Sequence, residues 1–371
     1  MFRSLRNIIV HIMAAFIRDR DARHKFRNKY KRKSKFRKLR DDNRQIFNDI
    51  GKLVNEIQSL KEGLAELRLD YAQHLTEWER ERSHIFRVAP LDNSPPSGPD
   101  SDVYLAIVCV AKDEGIYLKE WIEFHKMVGV ERFYFYDNES DDNTKEILDP
   151  YINDGTVVYH FLPNHPITKR RPQEEAYNDA IFKYRDRTRW MAMIDIDEFL
   201  FPTEKDTIPE FLVDYEQHPA VVVNWMCFDS NGHDKMPTAH GGLVTANYTR
   251  VRKNHEHSLD RNIKSIVDPK RTVYFTVHFG LYYHNFNAVT ENLETVRGQF
   301  SKTHSSSKIR INHYRSKSNE EFYDKMVRNR KGSPYKYNFN EEYANFIGET
   351  ENDFAIQKYL PKLKQVMGVK E

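Results

Sequence analysis

The chain has 371 residues, of which 39% are hydrophobic and 13% are aromatic; this content suffices for a sizeable core and excludes a wholly disordered protein. Its two cysteines, Cys109 and Cys227, exclude a disulfide framework and a zinc cluster and indicate buried thiols in a reducing compartment. The net charge of +3 is uneven, because residues 1–40 hold 15 lysines and arginines against two aspartates and the remainder is acidic.

Residues 1–40 are predicted to form a basic amphipathic arm. The apolar run 8–17 has about half of the roughly 20 residues that a membrane-spanning helix needs, and no small-residue cleavage site follows it. Because arginines flank the run and a polybasic tract follows, we expect the arm to lie on an anionic membrane surface. A packing helix with a solvated basic tail is one alternative. Nucleic acid is another possible polyanion, although it is not the expected partner.

Residues 41–88 are predicted to form a coiled coil. Apolar side chains recur there at alternating spacings of four and three, with charged residues on the other faces. This seam consists of Ile46, Ile50, Leu53, Ile57, Leu60, Leu64, Leu67 and Tyr71. Its length and narrowness favour a coiled coil, and hence a homo-oligomer, over a single amphipathic helix packed on its own domain. A linker rich in proline, glycine and serine follows at 89–102.

From residue 103 the pattern changes to alternating strands and helices. Strands are predicted at 103–111, 132–136, 156–161 and 189–196, and helices at 117–128, 144–151 and 173–187. This order indicates an α/β domain with a largely parallel, doubly wound sheet, in which ligands bind beyond the carboxyl ends of the strands. We expect this domain to extend to residue 330. A helical extension that covers the sheet is expected over 331–371.

The strongest local signal is the Asp195-Ile196-Asp197 motif, followed by Glu198, at the end of an apolar strand. Residues two apart in an extended chain point the same way, so both aspartates should face one spot. Two such carboxylates are costly to leave ionised without a partner. A Mn²⁺ or Mg²⁺ ion bridging to a diphosphate would supply that partner. The alternative is that these acids cap a helix or mark a solvated turn.

Acidic loops also follow the first two predicted strands. Lys112-Asp113-Glu114 follows the first and an acidic run beginning at Asp137 follows the second, where short acids can hydrogen-bond a base or a ribose. Asp142 or Asn143 could instead simply cap the next helix.

Basic residues stand near the start of the helix predicted from Gln173 and near that of a further predicted helix, for which Ser318 and Glu321 form a capping box. In the segment 169–173, which leads into the helix predicted from Gln173, the basic side chains, including Arg171, could clamp a diphosphate with the help of the helix amino terminus, or they could form a solvated loop. Lys317 and Lys325 could face a phosphate, with a solvated face as the default. The histidines show no zinc-binding spacing, and His278 is expected to be packed.

Several separate motifs, in order over roughly 103–330, resemble glycosyltransferase family 92 and bacterial family-2-like glycosyltransferases. The matching motifs are Lys112-Asp113-Glu114, Tyr134-Phe135-Tyr136-Asp137-Asn138, Ser140-Asp141-Asp142-Asn143-Thr144, Ile194-Asp195-Ile196-Asp197-Glu198-Phe199, Gly232-His233 and Asn312-His313-Tyr314. The resemblance does not include the arm or the coiled coil. It implies the GT-A fold, which is a Rossmann-like domain with a mostly parallel sheet.

The resemblance also implies a nucleotide-sugar donor, a Mn²⁺ or Mg²⁺ cofactor and inversion at the anomeric carbon. The metal would be held by Asp195, Asp197 and His313. Inversion requires a general base, for which Asp229 is the first candidate, followed by Glu198 and Asp234. The candidate donor-binding residues are Lys112, Asp113, Glu114, Asp137, Arg171, Gln173 and Asp195.

The sequence therefore predicts a glycosyltransferase that moves a hexose or related sugar onto a glycan or lipid-linked acceptor. We expect it in the cytoplasm, at the inner face of a membrane to which the arm binds. A metal-dependent nucleotidyltransferase or phosphohydrolase is an alternative, because these enzymes also place paired aspartates after strands. A coiled-coil scaffold with a ligand-binding α/β domain is a non-catalytic alternative.

Overall fold

A computed structural model of the protein describes Lys52 and residues 102–163, 172–253, 255, 259–328 and 348–369. From residue 102 onward the described residues belong to one compact unit, Asp92–Glu371. The predicted arm, the coiled coil apart from Lys52, and nearly all of the linker lie outside the described residues. Arg171 and the first part of the predicted extension also lie outside them.

The described chain alternates strands and helices and then becomes richer in strands. The strands are β1 (Val103–Ala111), β2 (Arg132–Asp137), β3 (Val157–Phe161), β4 (Thr188–Met193), β5 (Glu198–Pro202), β6 (Ala220–Cys227), β7 (Arg250–Arg252), β8 (Ile263–Val267), β9 (Thr272–Phe275), β10 (Gly280–Tyr282), β11 (Ala288–Val289), β12 (Thr295–Val296), β13 (Ile309–His313) and β14 (Thr350–Asn352). The α-helices are α1 (Gly115–Met127), α2 (Thr144–Asn153), α3 (Pro172–Tyr184), α4 (Ile208–Leu212), α5 (Val244–Asn247), α6 (Asn319–Arg328) and α7 (Leu360–Met367). The four strands and three helices predicted from the sequence are confirmed, although β4 ends at Met193 and α3 at Tyr184.

The central sheet is mostly parallel, as predicted. Its main order is β12-β11-β6-β8-β4-β1-β2-β3, and β13 pairs with both β6 and β5. All of these strands except β5, β8 and β12 run in the same direction. β8 lies antiparallel between β4 and β6, which brings a late segment of the chain beside the end of β4.

Both faces of the sheet are covered, which explains the unbroken apolar run of β1. Leu105, Ile107 and Cys109 lie in one hydrophobic cluster, whereas Ala106 and Val108 lie in the other. Helices α1 and α2 contribute to the first cluster and α3 contributes to the second. A strand buried on both faces needs apolar residues at every position, so its sequence does not alternate.

Three further expectations concern the cysteines, the extension and the membrane. Cys109 and Cys227 are free, buried thiols, as predicted, and burial raises the pKa of both.

The predicted helical extension contains a strand that was not predicted. In its described part, β14 pairs with β7, and α7 is the one α-helix. Three residues give no periodicity by which a strand can be recognised. Within the described residues, none of the helices combines the length and the apolar character of a membrane span.

His125 is a buried histidine that the core keeps neutral. Its side chain is fully buried, its Nδ1 donates to the Trp121 carbonyl at 2.8 Å, and its Nε2 accepts the Leu200 N–H at 3.2 Å. Burial lowers the pKa of His125 from 6.5 to about 3. Both ring nitrogens are therefore used in the neutral form, and a second proton would break the bond to Leu200.

We expect the free energy of unfolding to fall as the pH decreases from 6.5 towards 3, because the unfolded chain binds a proton that folded His125 does not. The loss from this residue approaches about 1.4 kcal/mol per pH unit in that window. Urea unfolding at pH 7 and pH 5 measures it. The variant His125→Gln, which does not titrate, should lose less stability between these pH values; an equal loss would contradict the prediction.

Candidate active site

A cleft of about 340 Å³ lies where β1, β4 and β13 end. This is the sheet edge that the strand order predicted, because parallel strands bring their carboxyl ends together. The cleft is lined by Val110, Ala111, Lys112, Glu114, Gln173, Asp195, Ile196, Asp197, Trp225, Val277, His278, His313, Arg315 and Lys325. Both aspartates of the Asp-x-Asp motif are among them.

The Asp195 carboxylate is held from within the protein on both of its oxygens. Gln173 Nε2 donates to Oδ1 at 2.6 Å, with the Tyr177 hydroxyl 3.4 Å from the same oxygen. Lys264 Nζ donates to Oδ2 at 2.9 Å. Asp195 therefore links β8 to the first turn of α3.

The Asp197 carboxylate has different partners from those of Asp195. Lys325 Nζ on α6 donates to its Oδ2, and His313 Nε2 at the end of β13 lies 3.6 Å from its Oδ1. The Tyr314 N–H donates to the Asp197 carbonyl at 2.8 Å, which ties the motif to β13. Burial alone would raise the pKa of Asp197, but the charge of Lys325 and the contact with His313 outweigh it and hold the pKa well below the usual range.

These contacts correct one step of the sequence argument. The two aspartates were expected to be costly to leave ionised without a partner, and a divalent cation was the partner proposed for them. Lys264 instead pairs with Asp195, and Lys325 pairs with Asp197. Burial lowers the pKa of Lys264, but the charges of Asp195 and Glu198 more than compensate and raise it, so the ammonium stays charged. Charge balance alone therefore does not require a metal here.

A possible set of metal ligands lies beside the cleft nevertheless. Ligand atoms of Asp197, Glu198 and His313 all lie within 4.8 Å of one another. Within the described residues, buried Glu198 Oε1 and His313 Nδ1 have no hydrogen-bond partner. Two carboxylates and an imidazole suit Mn²⁺ better than an all-carboxylate set would, because imidazole is a ligand of transition metals. The residues present therefore fit a divalent cation.

The composition of this set differs from the predicted one. Glu198 stands where Asp195 was expected, because the oxygens of Asp195 face Lys264 and Gln173. Burial, reinforced by the charges of Asp195 and Asp197, raises the pKa of Glu198 well above the usual range, and Lys264 offsets this only in part. A carboxyl group of this kind is one that binding of a cation would ionise.

The two acidic loops, which follow β1 and β2, are joined to each other by hydrogen bonds. Asp142 accepts from the N–H of Gly115 at 2.8 Å and of Thr144 at 3.0 Å, so one carboxylate caps both α1 and α2. Asp113 accepts from the Asp141 N–H at 2.8 Å. Asp137, which is 4% exposed, accepts from the Tyr159 hydroxyl at 2.7 Å and from a backbone N–H. Asp142 thus caps the helix that starts at Thr144, as the alternative interpretation predicted, and it also binds the first N–H of α1 from the other acidic loop.

Of the remaining donor-binding candidates, two line the cleft. Lys112 Nζ donates to the Glu139 carbonyl at 2.7 Å, and Glu114 Oε2 lies 3.2 Å from Lys317 Nζ. Asp113 and Asp137 are not among the lining residues, so direct contact of their carboxylates with a donor stays a prediction that this geometry does not favour.

The first candidate for the general base lies outside the cleft. The Asp229 carboxylate faces Arg250 at 3.0 Å and accepts from the Asn231 N–H at 2.7 Å. Asp234, the last candidate, accepts from the Asn319 side chain at 2.9 Å. Neither lines the cleft, whereas Glu198 lies beside Asp197 and His313.

Sequence reasoning missed the basic residues of the site or gave them too little weight. Lys264 is 1% exposed in an apolar strand and gave no signal in the sequence apart from being a charge in such a strand. Lys317 is also buried, with its Nζ 3.4 Å from the centre of the Tyr117 ring. The default of a solvated face was wrong for Lys317 and for Lys325, which is bound to Asp197. His278 lies at the cleft wall, and burial lowers its pKa to about 4.

Comparison with known sequences gives a family. The family profile described as Glycosyltransferase family 92 matches residues 106–350, which is more than half of the chain. A glycosyltransferase family 92 protein of Oryza sativa subsp. japonica is 29% identical over 168 residues, covering 44% of this chain and 27% of the relative. Galactan beta-1,4-galactosyltransferase GALS3 of Arabidopsis thaliana is 25% identical over 246 residues, covering 59% of this chain and 45% of the relative. The chain thus spans less than half the length of these relatives.

Solved structures show only distant likeness. Residues 1–349 of TarS from S. aureus give a TM-score of 0.31 at 14% identity, covering 66% of this chain and 70% of that one. The mannosyltransferase PcManGT from Pyrobaculum calidifontis, solved with GDP-Man and Mn²⁺, gives 0.25 at 17% identity, covering 40% and 42%. TM-scores of this size are too low to support a statement about the site.

Proposed function

This chain belongs to glycosyltransferase family 92, and we propose that its cleft binds a nucleotide-sugar donor and transfers the sugar to a glycan or lipid-linked acceptor. The observation that carries this proposal is the concentration of charged groups at the carboxyl edge of the sheet. Asp195 and Asp197 meet Lys264 and Lys325 there. A site of alternating charge at this edge suits a diphosphate that leaves with its nucleoside.

The donor is proposed to carry a hexose. Relatives of this chain from Arabidopsis thaliana are named galactan beta-1,4-galactosyltransferases, which favours a hexose over other sugars. Trp225 and His278 line the cleft with rings 5.5 Å apart at 67°. Aromatic walls of this kind suit the apolar face of a sugar or a base.

The proposed cofactor is Mn²⁺ or Mg²⁺, held by Asp197, Glu198 and His313. When bound, such an ion acts as a Lewis acid for the negative charge that develops on the departing diphosphate. Lys325 and Arg315 line the same cleft and would bind the phosphate oxygens directly. The Lys325 ammonium binds Asp197 in the structure, so it lies next to the residues that would hold the ion.

We propose that transfer inverts the anomeric carbon, which requires a base for the acceptor hydroxyl. Glu114 lines the cleft and Glu198 lies beside it, so both are better placed for this step than Asp229. Because Glu198 would be a ligand of the proposed cation, Glu114 is the better placed of the two to take up the proton of the acceptor hydroxyl.

The arm, the coiled coil and the GT-A fold complete the proposal. Residues 1–40 would hold the protein at the inner, cytoplasmic face of a membrane, and residues 41–88 would form a homo-oligomer. We propose the GT-A fold for this domain because its described residues form a mixed α/β structure with a mostly parallel sheet. The proposals for residues 1–88 rest on the sequence pattern alone.

The test is a screen of nucleotide sugars for thermal stabilisation in Mn²⁺, Mg²⁺ or EDTA. A ligand that binds only the folded state raises Tm according to its occupancy, so we expect one donor to raise Tm by several degrees in a divalent cation and by less in EDTA. Acceptor-dependent release of a nucleoside diphosphate then distinguishes sugar transfer from nucleotidyl transfer or phosphate hydrolysis. No stabilisation by any common nucleotide sugar would contradict the proposal.

A further inference from the structure

Lys264 is a buried ammonium next to the cleft but not part of its lining. It stands in β8, the antiparallel strand between β4 and β6, and its side chain is 1% exposed. Its Nζ lies 2.9 Å from Asp195 Oδ2 and 3.8 Å from Glu198 Oε2. A buried cation is tolerated when it is paired with good geometry, and removing one partner leaves the other charge uncompensated.

The contacts of Lys264 extend to the cleft through Asp195. The other oxygen of Asp195 accepts from Gln173 at 2.6 Å, and Gln173 lies in the first turn of α3. Asp195 and Gln173 both line the cleft. A chain of contacts therefore runs from a strand in the core, through a carboxylate, to the amino terminus of a helix at the cleft wall.

We propose that Lys264 is a positioning residue for the donor, which fixes the Asp195 carboxylate against Gln173 and provides the permanent positive charge at Asp195. Asp195 then serves the cleft as an oriented acceptor, and Asp197 is the aspartate of the candidate cation site, with Glu198 and His313. The inference rests on the proposed function, because it requires that the cleft bind the nucleoside diphosphate part of a donor.

The same two strands offer a matched control at their opposite end. Arg189 in β4 is 2% exposed and pairs at 3.0 Å with Asp268, which directly follows β8. Neither residue lines the cleft. Arg189→Met thus removes a buried cation that joins the same elements through Asp268 and also binds Glu216, without reaching Asp195 or Gln173.

The experiment measures the affinity of UDP, GDP, ADP and TDP by calorimetry with Mn²⁺ in excess. For the best of these probes we expect Lys264→Met to weaken binding at least about tenfold, which corresponds to about 1.4 kcal/mol. Lys264→Arg should restore part of the affinity, because it keeps the charge. Arg189→Met should stay within about twofold of the wild type. Unchanged affinity in Lys264→Met, or an equal loss in Arg189→Met, would overturn the inference.

A double variant keeps the test decisive if Lys264→Met folds poorly. Lys264→Met with Asp195→Asn removes both charges, so it should unfold at higher urea than Lys264→Met alone. Its nucleotide affinity should be no lower than that of Asp195→Asn, because the lysine acts through the aspartate; additive losses would count against the inference. A wild-type protein that bound none of the probes would refute the proposed function and this role together, whereas failure of the inference alone leaves wild-type binding intact.

Discussion

Sugar transfer by Asp197→Asn should be slower than by the wild type by a factor of at least about one hundred, which is the order of rate that is lost when one source of electrostatic stabilisation is removed. Asp197 is 7% exposed, binds Lys325 and belongs to the set that fits a divalent cation. Asparagine keeps the shape of the side chain but removes the negative charge, which is needed both for the ion pair with Lys325 and for binding of the cation. The measurement is product formation at saturating donor and acceptor.

Two controls separate this effect from a loss of structure. Asp149→Asn makes the same chemical change in α2, where Asp149 pairs with Lys145 at the surface, and should leave the rate within about twofold. Circular dichroism and Tm show whether Asp197→Asn is folded. A folded Asp197→Asn protein that keeps its full rate would remove the metal-assisted mechanism and would favour a scaffold role for the domain.

Loss of the Glu291 carboxylate should destabilise the protein more than loss of most surface contacts. Its side chain is 2% exposed and accepts 2.8 Å hydrogen bonds from the N–H groups of Ser307, Lys308 and Ile309. The hydroxyls of Ser305 and Ser307 also donate to it. Burial raises the pKa of Glu291, but these donors outweigh burial and lower it. Glu291 thus holds the segment that leads into β13 and so to His313.

We expect Glu291→Ala to lower the free energy of unfolding by at least about 3 kcal/mol, because several buried donors lose a charged acceptor at once. Urea unfolding at pH 7 measures the change. In the wild type, the stabilisation by the Glu291 carboxylate should be fully present above about pH 4.3, the ordinary pKa of glutamate in an unfolded chain. It should be lost as the pH falls below that value, because the pKa of Glu291 is lower in the folded protein than in the unfolded chain.

The neighbouring Glu294 provides the matched control for this prediction. It is exposed, and its carboxylate accepts a hydrogen bond from the Thr303 hydroxyl at 3.0 Å. Glu294→Ala should cost less than about 0.5 kcal/mol, as surface substitutions commonly do. Similar losses in the two variants would mean that the buried hydrogen bonds of Glu291 contribute little net stability.

The family and the core of the fold were predictable because their signals are local. The continuous apolar run of β1 and the helical spacing of α1 need only neighbouring residues to be recognised. Parallel strands then place their ends at one edge, so Asp195 and Asp197 could be assigned to a cleft before its walls were known. The membership in glycosyltransferase family 92 predicted from separate motifs is confirmed by the profile over 106–350.

The partners of these acids were not predictable, because they come from distant parts of the chain. Lys264 reaches Asp195 from 69 positions away and Lys325 reaches Asp197 from 128 positions away. The first contact exists because β8 inserts antiparallel between β4 and β6, and the second because α6 brings Lys325 to the turn between β4 and β5. The spacing of neighbouring residues does not indicate such pairings. The sequence therefore suggested a metal as the partner of two carboxylates whose charge two lysines already balance.

By itself, then, the sequence determined the first four strands and three helices and the acidic sheet edge, since each of these follows from the spacing of nearby residues. The family was reached from the resemblance of separate motifs, which the profile match confirms. Only the tertiary structure decided which acids face the cleft and which are used as caps. The carboxylate of Asp142 caps two helices, whereas Asp197 meets His313 and Glu198. The physical reason is that charge and hydrogen bonding act through space, and their partners are chosen by the fold.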